Sequence, residues 1–204
     1  MTYDTKALLA QRELKNLGFY KGELDGFWGE ASAQSMRAWL AHETAAAQPA
    51  PVGKEEFDVR TERNIGTLGP AAQVAARKFM RAIIPAMALH GLSVKIICGT
   101  RTYAEQDALY AQGRSAKGPI VTNAPGGHSN HNFGLSWDIL FFDANGQPVW
   151  ESPHYHECAV IGEAQGLDVG AFWKSLKDEP HYGIKTGLTL AQMRARKANG
   201  EPIA

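Results

Sequence analysis

Apolar positions recur along this chain first at helical and later at strand-like intervals. From Lys6 to Leu17 the leucines at 8, 9, 14 and 17 fall at helical spacing and Gly18 follows as a stop, which predicts a first helix. The glycine- and aromatic-rich GFYKGELDGFWG predicts a tight loop. Ala31 to His42, anchored by Met36, Trp39 and Leu40, predicts a second helix. The stretch AAAQPAPVG, Ala45 to Gly53, has little to bury and reads as a tether. The expected organisation is a small helical domain over 1–44, a linker over 45–55 and a larger domain over 56–204.

The larger domain opens with a charged loop and then a long helix from Pro70 to His90. Proline stands at its first position, Gly91 lies just past its end, and Val74, Phe79, Met80, Ile83 and Met87 form its apolar face. Pro85 should kink this helix or end it early. Ser93 to Gly99 is β-branched and bounded by glycine, so it predicts a strand. Thr102 to Glu105 spells a capping box that opens the helix TYAEQDALYAQG and leaves Arg101 at a strand-to-helix junction. Leu135 to Phe142 predicts a second strand, Gly166 to His181 a further short one, and the rest a polar tail. The fold class is α+β, a small central antiparallel sheet flanked by helices.

Composition narrows the partners. Twenty-one Lys and Arg balance twenty-one Asp and Glu, so no general basic field draws in nucleic acid or an anionic membrane. Cys98 and Cys158 lack a C-x-x-C spacing, which argues against a disulfide scaffold or a cysteine-rich zinc module, although a single pairing stays open. Cys98, in an apolar strand, reads as a small core residue. No twenty-residue apolar stretch is present, so stable membrane insertion is not expected. The first residues mix acidic and basic side chains without the apolar run of a secretory signal, and the expectation is synthesis in the cytoplasm without one. A monomer is expected.

Two of the histidine-bearing segments keep company with carboxylates at ligand spacing. In Ser129-Asn-His131-Asn-Phe-Gly134-Leu-Ser136-Trp-Asp138, a histidine in a glycine-containing turn precedes an aspartate that interrupts an apolar strand, where an unpaired charge is costly. In Asp178-Glu179-Pro180-His181, an acid and an imidazole three residues apart can face one point. Two imidazoles and one carboxylate would make a three-ligand zinc site with a fourth position open to water. Each segment alone is more often a hydrogen-bonded turn than a metal site. His154 and His156, in HYH, would share one face of a strand and read as surface residues. His128 adjoins the first segment as a supporting residue, and His42 and His90 close helices, where a cation suits the dipole. There is no H-E-x-x-H, no G-x-S-x-G and no G-x-x-x-x-G-K-[ST].

SNHNFGLSWD and DEPHY together resemble the two zinc-ligand motifs of the D-Ala-D-Ala carboxypeptidase family, which includes vancomycin-resistance dipeptidases and many bacteriophage endolysins. GTRTYAEQDALYAQGR followed by VTNAPGGHSNHNFGLSWDI is similar to the endolysin branch that cleaves the L-alanyl-D-glutamate bond of peptidoglycan stem peptides. The segment LLAQRELKNLGFYKGELDGFWGEASAQSMRAWL separately resembles a small helical peptidoglycan-binding domain. The resemblance implies Zn2+ held by His131, Asp138 and His181, with Asp178 as catalytic general base. It implies that Arg101 steadies the substrate carbonyl and the developing oxyanion, and that Ser129 binds substrate. Resistance dipeptidases carry glutamate where this chain has Asp178, so Glu179 is kept as a weaker candidate base, and Ser136 stands where alanine is common. The implied function is zinc-activated hydrolysis of the L-alanyl-D-glutamate bond in a lysis enzyme released to the wall through a holin pore. A D,D-carboxypeptidase or cross-link endopeptidase is the alternative, and a non-catalytic wall-binding protein the less favoured one.

Overall fold

The computed structural model describes residues 11, 14, 15, 19–27, 29–46, 56–175 and 177–204. Of the first predicted helix, Gln11, Leu14 and Lys15 are helical and the remainder lies outside the described residues, as do most of the expected linker and the side chains of Trp39, Leu40 and His42. Helix α1 spans Glu30–Ala46, so it continues past His42 into the first two alanines of the expected tether. Alanine is the strongest helix former, and nothing in HETAA stops the helix. The buried Gln11 amide organises this region. Its Nε2 donates to Asp25 Oδ1 (2.8 Å), the Phe27 carbonyl (2.9 Å) and Ser32 Oγ (3.0 Å), and its Oε1 accepts from the Gly26 N–H (3.1 Å). Leu14, Tyr20 and Met36 join the main core, and α1 rests on the two long helices of the larger domain.

That domain begins with a helix, not the expected charged loop: α2, Val59–Gly66, is capped by Asp58, whose side chain accepts from the Arg60 and Thr61 N–H groups. Helix α3, Pro70–Ala88, starts on its proline as predicted and runs three residues beyond Pro85, whose ring lies on the exposed side. Its buried face is Ala72, Ala76, Phe79, Met80, Ala82, Ile83, Ala86 and Met87. Val74, expected on that face, is 70% exposed, because the small alanines at 72 and 76 occupy the stripe and let the helix approach the sheet closely. Strand β1, Ser93–Cys98, is followed by α4, Tyr103–Ala111, with the predicted Thr102/Glu105 capping box in place. Strand β2 is Ser136–Phe142 and the two-residue β3 is Pro148–Val149. HYH is not a strand: His154 opens helix α5, His154–Ala164. Strands β4, Asp168–Val169, and β5, His181–Gly183, follow. The expected polar tail contains helix α6, Leu190–Ala198, closed at its start by a Thr189/Gln192 capping box.

All strand pairings are antiparallel, in the order β1-β2-β5-β4 with β3 on β2. One face of β2 (Trp137, Ile139, Phe141) packs against α3 and α5, with the Phe79 ring 4.3 Å from that of Tyr182 and 6.2 Å from that of Trp137. The other face carries Asp138. Both cysteines are free thiols.

Candidate active site

Strand register builds half of the site. Asp138 on β2 stands opposite His181 on β5 and opposite Cys98 on β1, so three chemically active side chains share one row across three strands. Strict alternation would turn Cys98 the other way, since Ile96 pairs with the core residue Ile139. The register shift between Ile96 and Cys98 inserts one extra residue and re-aims the thiol toward Asp138. Cys98 is therefore half-buried beside the site, and not the plain core residue expected; its Sγ accepts from Arg101 Nε at 3.2 Å and lies 3.9 Å from His131 Nδ1.

The other half comes from turns. His131 lies in a single 3-10 turn, Asn130–Phe133, that ends on Gly134 at φ 70°. A side chain at 134 would be strained by that φ and would also meet the Gly69 nitrogen at 2.9 Å, so only glycine fits here. The buried Asn132 stitches this turn to the Arg101 segment, its Nδ2 donating to the Arg101 carbonyl (3.0 Å), while the Arg101 N–H donates to the His131 carbonyl (3.0 Å). From the opposite side α6 straps it down: Lys197 Nζ donates to the Asn132 carbonyl (2.5 Å) over the ring of Tyr103, and Arg194 Nη1 donates to the Gly127 carbonyl (3.0 Å). Asp178 sits in the turn entering β5, where its N–H donates to the Gly170 carbonyl at 3.1 Å. A Cβ on Gly170 would collide with the Asp178 carbonyl, so glycine permits this close approach.

These elements bring together the sequence-predicted ligands. His131 Nε2 is 3.1 Å from Asp138 Oδ1 and 3.2 Å from His181 Nδ1, and His181 Nδ1 is 3.3 Å from Asp138 Oδ1. A carbonyl can only accept, so the 2.8 Å contact between His131 Nδ1 and the Gly99 carbonyl puts the proton on Nδ1 and aims Nε2 at the cluster. Asp178 joins Asp138 and His181 with its donor atom within 4.8 Å of theirs. Arg101 closes the other side, donating from Nη2 to Asp138 Oδ2 (3.2 Å) and from Nη1 to Gln106 Oε1 (2.8 Å). Gln106, fully buried and tied to the Ala124 carbonyl (2.8 Å), holds the guanidinium in place; no spacing in the sequence pointed to it. Trp173 packs its indole 4.8 Å from the His181 ring and donates to Asp168 Oδ1 (2.8 Å). Ser129 heads the His131 turn, its N–H donating to Asn132 Oδ1 (3.3 Å). His128 is exposed and Glu179 lies on the outside of the turn; among the described residues neither joins the cluster.

Electrostatics single out the same groups. Burial alone would keep His131 neutral, but the adjoining Asp138 carboxylate outweighs it and holds the imidazole above the ordinary histidine range. Burial would likewise raise Asp138, yet His131 and the hydrogen bonds from both imidazoles hold it well below the usual carboxylate range. With no metal bound, His131 and Asp138 thus form a neutralised imidazolium–carboxylate pair. Asp178, although largely exposed, is raised above its ordinary value by desolvation of its carboxyl against the cluster and by the Asp138 charge. A raised carboxyl suits a group that must take up a proton.

The donor set fits a metal. With bonds of ~2.0–2.1 Å, tetrahedral zinc separates its ligand atoms by about 3.3 Å; the three edges here are 3.1, 3.2 and 3.3 Å. His181 Nε2 is buried without a hydrogen-bond partner among the described residues, so the protein leaves its tautomer to be set by whatever meets Nδ1.

Residues 71–158 match the family VanY, D-alanyl-D-alanine carboxypeptidase, and residues 1–44 match a putative peptidoglycan binding domain. Over these two segments the chain is similar to the VanY family and to peptidoglycan-binding domains. It is 38% identical over 109 residues to the peptidoglycan L-alanyl-D-glutamate endopeptidase CwlK of Bacillus subtilis (strain 168), a match covering 49% of this chain and 65% of that relative, slightly under two thirds of its length. Solved structures similar to it include the L-Ala D-Glu endopeptidase ChiX of Serratia marcescens, at 21% identity and TM-score 0.46, covering 69% of this chain and 97% of that one. Another is the L,D-carboxypeptidase DacB from Streptococcus pneumonia, at 18% identity and TM-score 0.41, covering 76% and 91%. The VanY match contains Arg101, Ser129, His131 and Asp138. Asp178 and His181 lie beyond it, and the pairing of β5 with β2 is what carries them to the same point.

Proposed function

We propose that this protein is a zinc-dependent peptidoglycan hydrolase that cleaves the L-alanyl-D-glutamate bond of the stem peptide. The observation that carries this reading is the convergence of His131 Nε2, Asp138 Oδ1 and His181 Nδ1 at zinc-ligand separations, flanked by Asp178 and Arg101. The named activity of the 38% identical relative supports the choice of bond.

His131, Asp138 and His181 would hold the ion, which when bound supplies Lewis acidity toward water and toward the scissile carbonyl. Asp178, kept basic by desolvation and by Asp138, accepts a proton from the attacking water. The water oxygen bonds to the L-alanyl carbonyl carbon, and Arg101, braced by Gln106, faces the negative charge that develops on the carbonyl oxygen. The carbon–nitrogen bond then breaks, and the Asp178 carboxyl passes its proton to the departing D-glutamyl amine. Ser129, at the head of the His131 turn, contributes to substrate binding.

A D,D-carboxypeptidase is the second reading, favoured by the description of the family matched over 71–158. Digestion of purified peptidoglycan separates the two: new D-glutamyl amino termini, with L-alanine left on the glycan, are expected, and release of terminal D-alanine alone would replace this reading by the second. The proposed lytic role rests on the resemblance of GTRTYAEQDALYAQGR and VTNAPGGHSNHNFGLSWDI to the endolysin branch; lysis of cells only when a membrane permeabiliser is co-expressed is the expected result.

A further inference from the structure

A second group of two imidazoles and one carboxylate lies on other elements of the fold. His90 stands in the turn leaving α3, and His154 and Glu157 lie three residues apart on the first turn of α5. Glu157 Oε2 is 3.1 Å from His90 Nε2 and 3.5 Å from His154 Nδ1, and the two rings stack at 3.9 Å with 26° between planes. The three donor atoms lie within 4.8 Å of one another. We propose that His90, His154 and Glu157 form a second binding site, for a divalent transition-metal cation of the zinc class, that clips the end of α3 to the start of α5.

Two imidazoles with one carboxylate select zinc, nickel or copper over magnesium and calcium, which require oxygen ligands. The two edges to Glu157 already match ligand separations in a tetrahedral site, where donors stand about 3.3 Å apart. The stacked rings leave their lone pairs side by side, so one imidazole turns to complete the site. Its side chains are between one quarter and one third exposed, which leaves room for water as the remaining ligand. Affinity is therefore lower than at the first cluster, and the site fills second. None of the three residues belongs to the proposed catalytic site, so the inference stands independently of that reading.

The test is calorimetric titration of the metal-stripped full chain with Zn2+. Wild type should take up two equivalents. His131→Ala should lose the tighter one and keep the weaker. His90→Asn and, separately, Glu157→Gln should weaken the second equivalent at least about tenfold while leaving the first intact. The melting temperature should rise again as the second equivalent binds to wild type and should not in either variant. Uptake of a single equivalent by wild type, or a second equivalent unaffected by both substitutions, would overturn the proposal.

Discussion

The molecule brings together the same set of three side chains, two histidines and a carboxylate, in two places, and their surroundings differ in every respect that matters for chemistry. At the first cluster the sheet register fixes Asp138 and His181, a glycine-terminated turn fixes His131, and the Gly99 carbonyl aims its ring. The second cluster joins two helix ends, is open to solvent, and its rings stack against each other instead of converging. A second acid and a guanidinium flank the first: Asp178 and Arg101. In the proposed reading a metal at the second site holds helices together, whereas a metal at the first would stand beside Asp178 as base and Arg101 as the cation facing the carbonyl. Chemical competence thus resides in the orienting and flanking groups more than in the ligand types.

The sharpest break of this comparison is a matched pair of substitutions. His131→Ala should lose the tighter metal and all measurable hydrolysis, while His90→Asn should hydrolyse as wild type does, with metal content and turnover measured on the same samples. Asp178→Asn should stay folded and zinc-loaded but lose about three orders of magnitude in turnover. Arg101→Ala should lose about two to three orders, also with metal retained. If Asp178→Asn came out metal-free, the base would have been confused with a ligand. Trp173→Ala should weaken zinc binding about 10- to 100-fold, because the indole and Asp168 brace His181, and chelator competition reads this directly. The smallest effect concerns the ion pair that ties α2 to α3. Hydrogen bonds from Arg77, then those from the Phe57 and Glu56 N–H groups, hold the Glu62 carboxyl below its ordinary 4.5 against the opposing effect of burial. A folded-state value below the unfolded one means the stabilisation is full above about 4.5 and is lost as pH falls through the depressed value. Glu62→Gln should therefore lower the melting temperature at neutral pH, with the gap to wild type closing in acid.

The site was legible where its chemistry is local in sequence. His131 with Asp138, and Asp178 with His181, each lie on one short segment, and Arg101 follows a strand whose end glycine and capping box both mark. Cys98 was misread because its placement depends on a bulge, which no alternation pattern reveals. Gln106 acts through a contact five residues from Arg101 across a helix start, with no motif attached. In the fold, α3 was visible from its single apolar face, β1 from its β-branched run, β2 from its apolar run and α4 from the Thr102/Glu105 capping box. Helix α5 was not: it is buried on several sides, and the HYH alternation at its start imitates a strand. Helix α2 carries mostly charged and polar residues and α6 buries only Met193, and their signals were the caps, Asp58 before α2 and Thr189 with Gln192 on α6.

One measurement bears most directly on the claim that the first cluster alone is catalytic. Metal-stripped full-length protein is titrated with Zn2+ while cleavage of a synthetic stem peptide is followed. Hydrolysis should rise in step with the first equivalent, level off at one, and yield a free D-glutamyl amine. Turnover in the metal-free protein, or turnover that appears only with the second equivalent, would contradict the account.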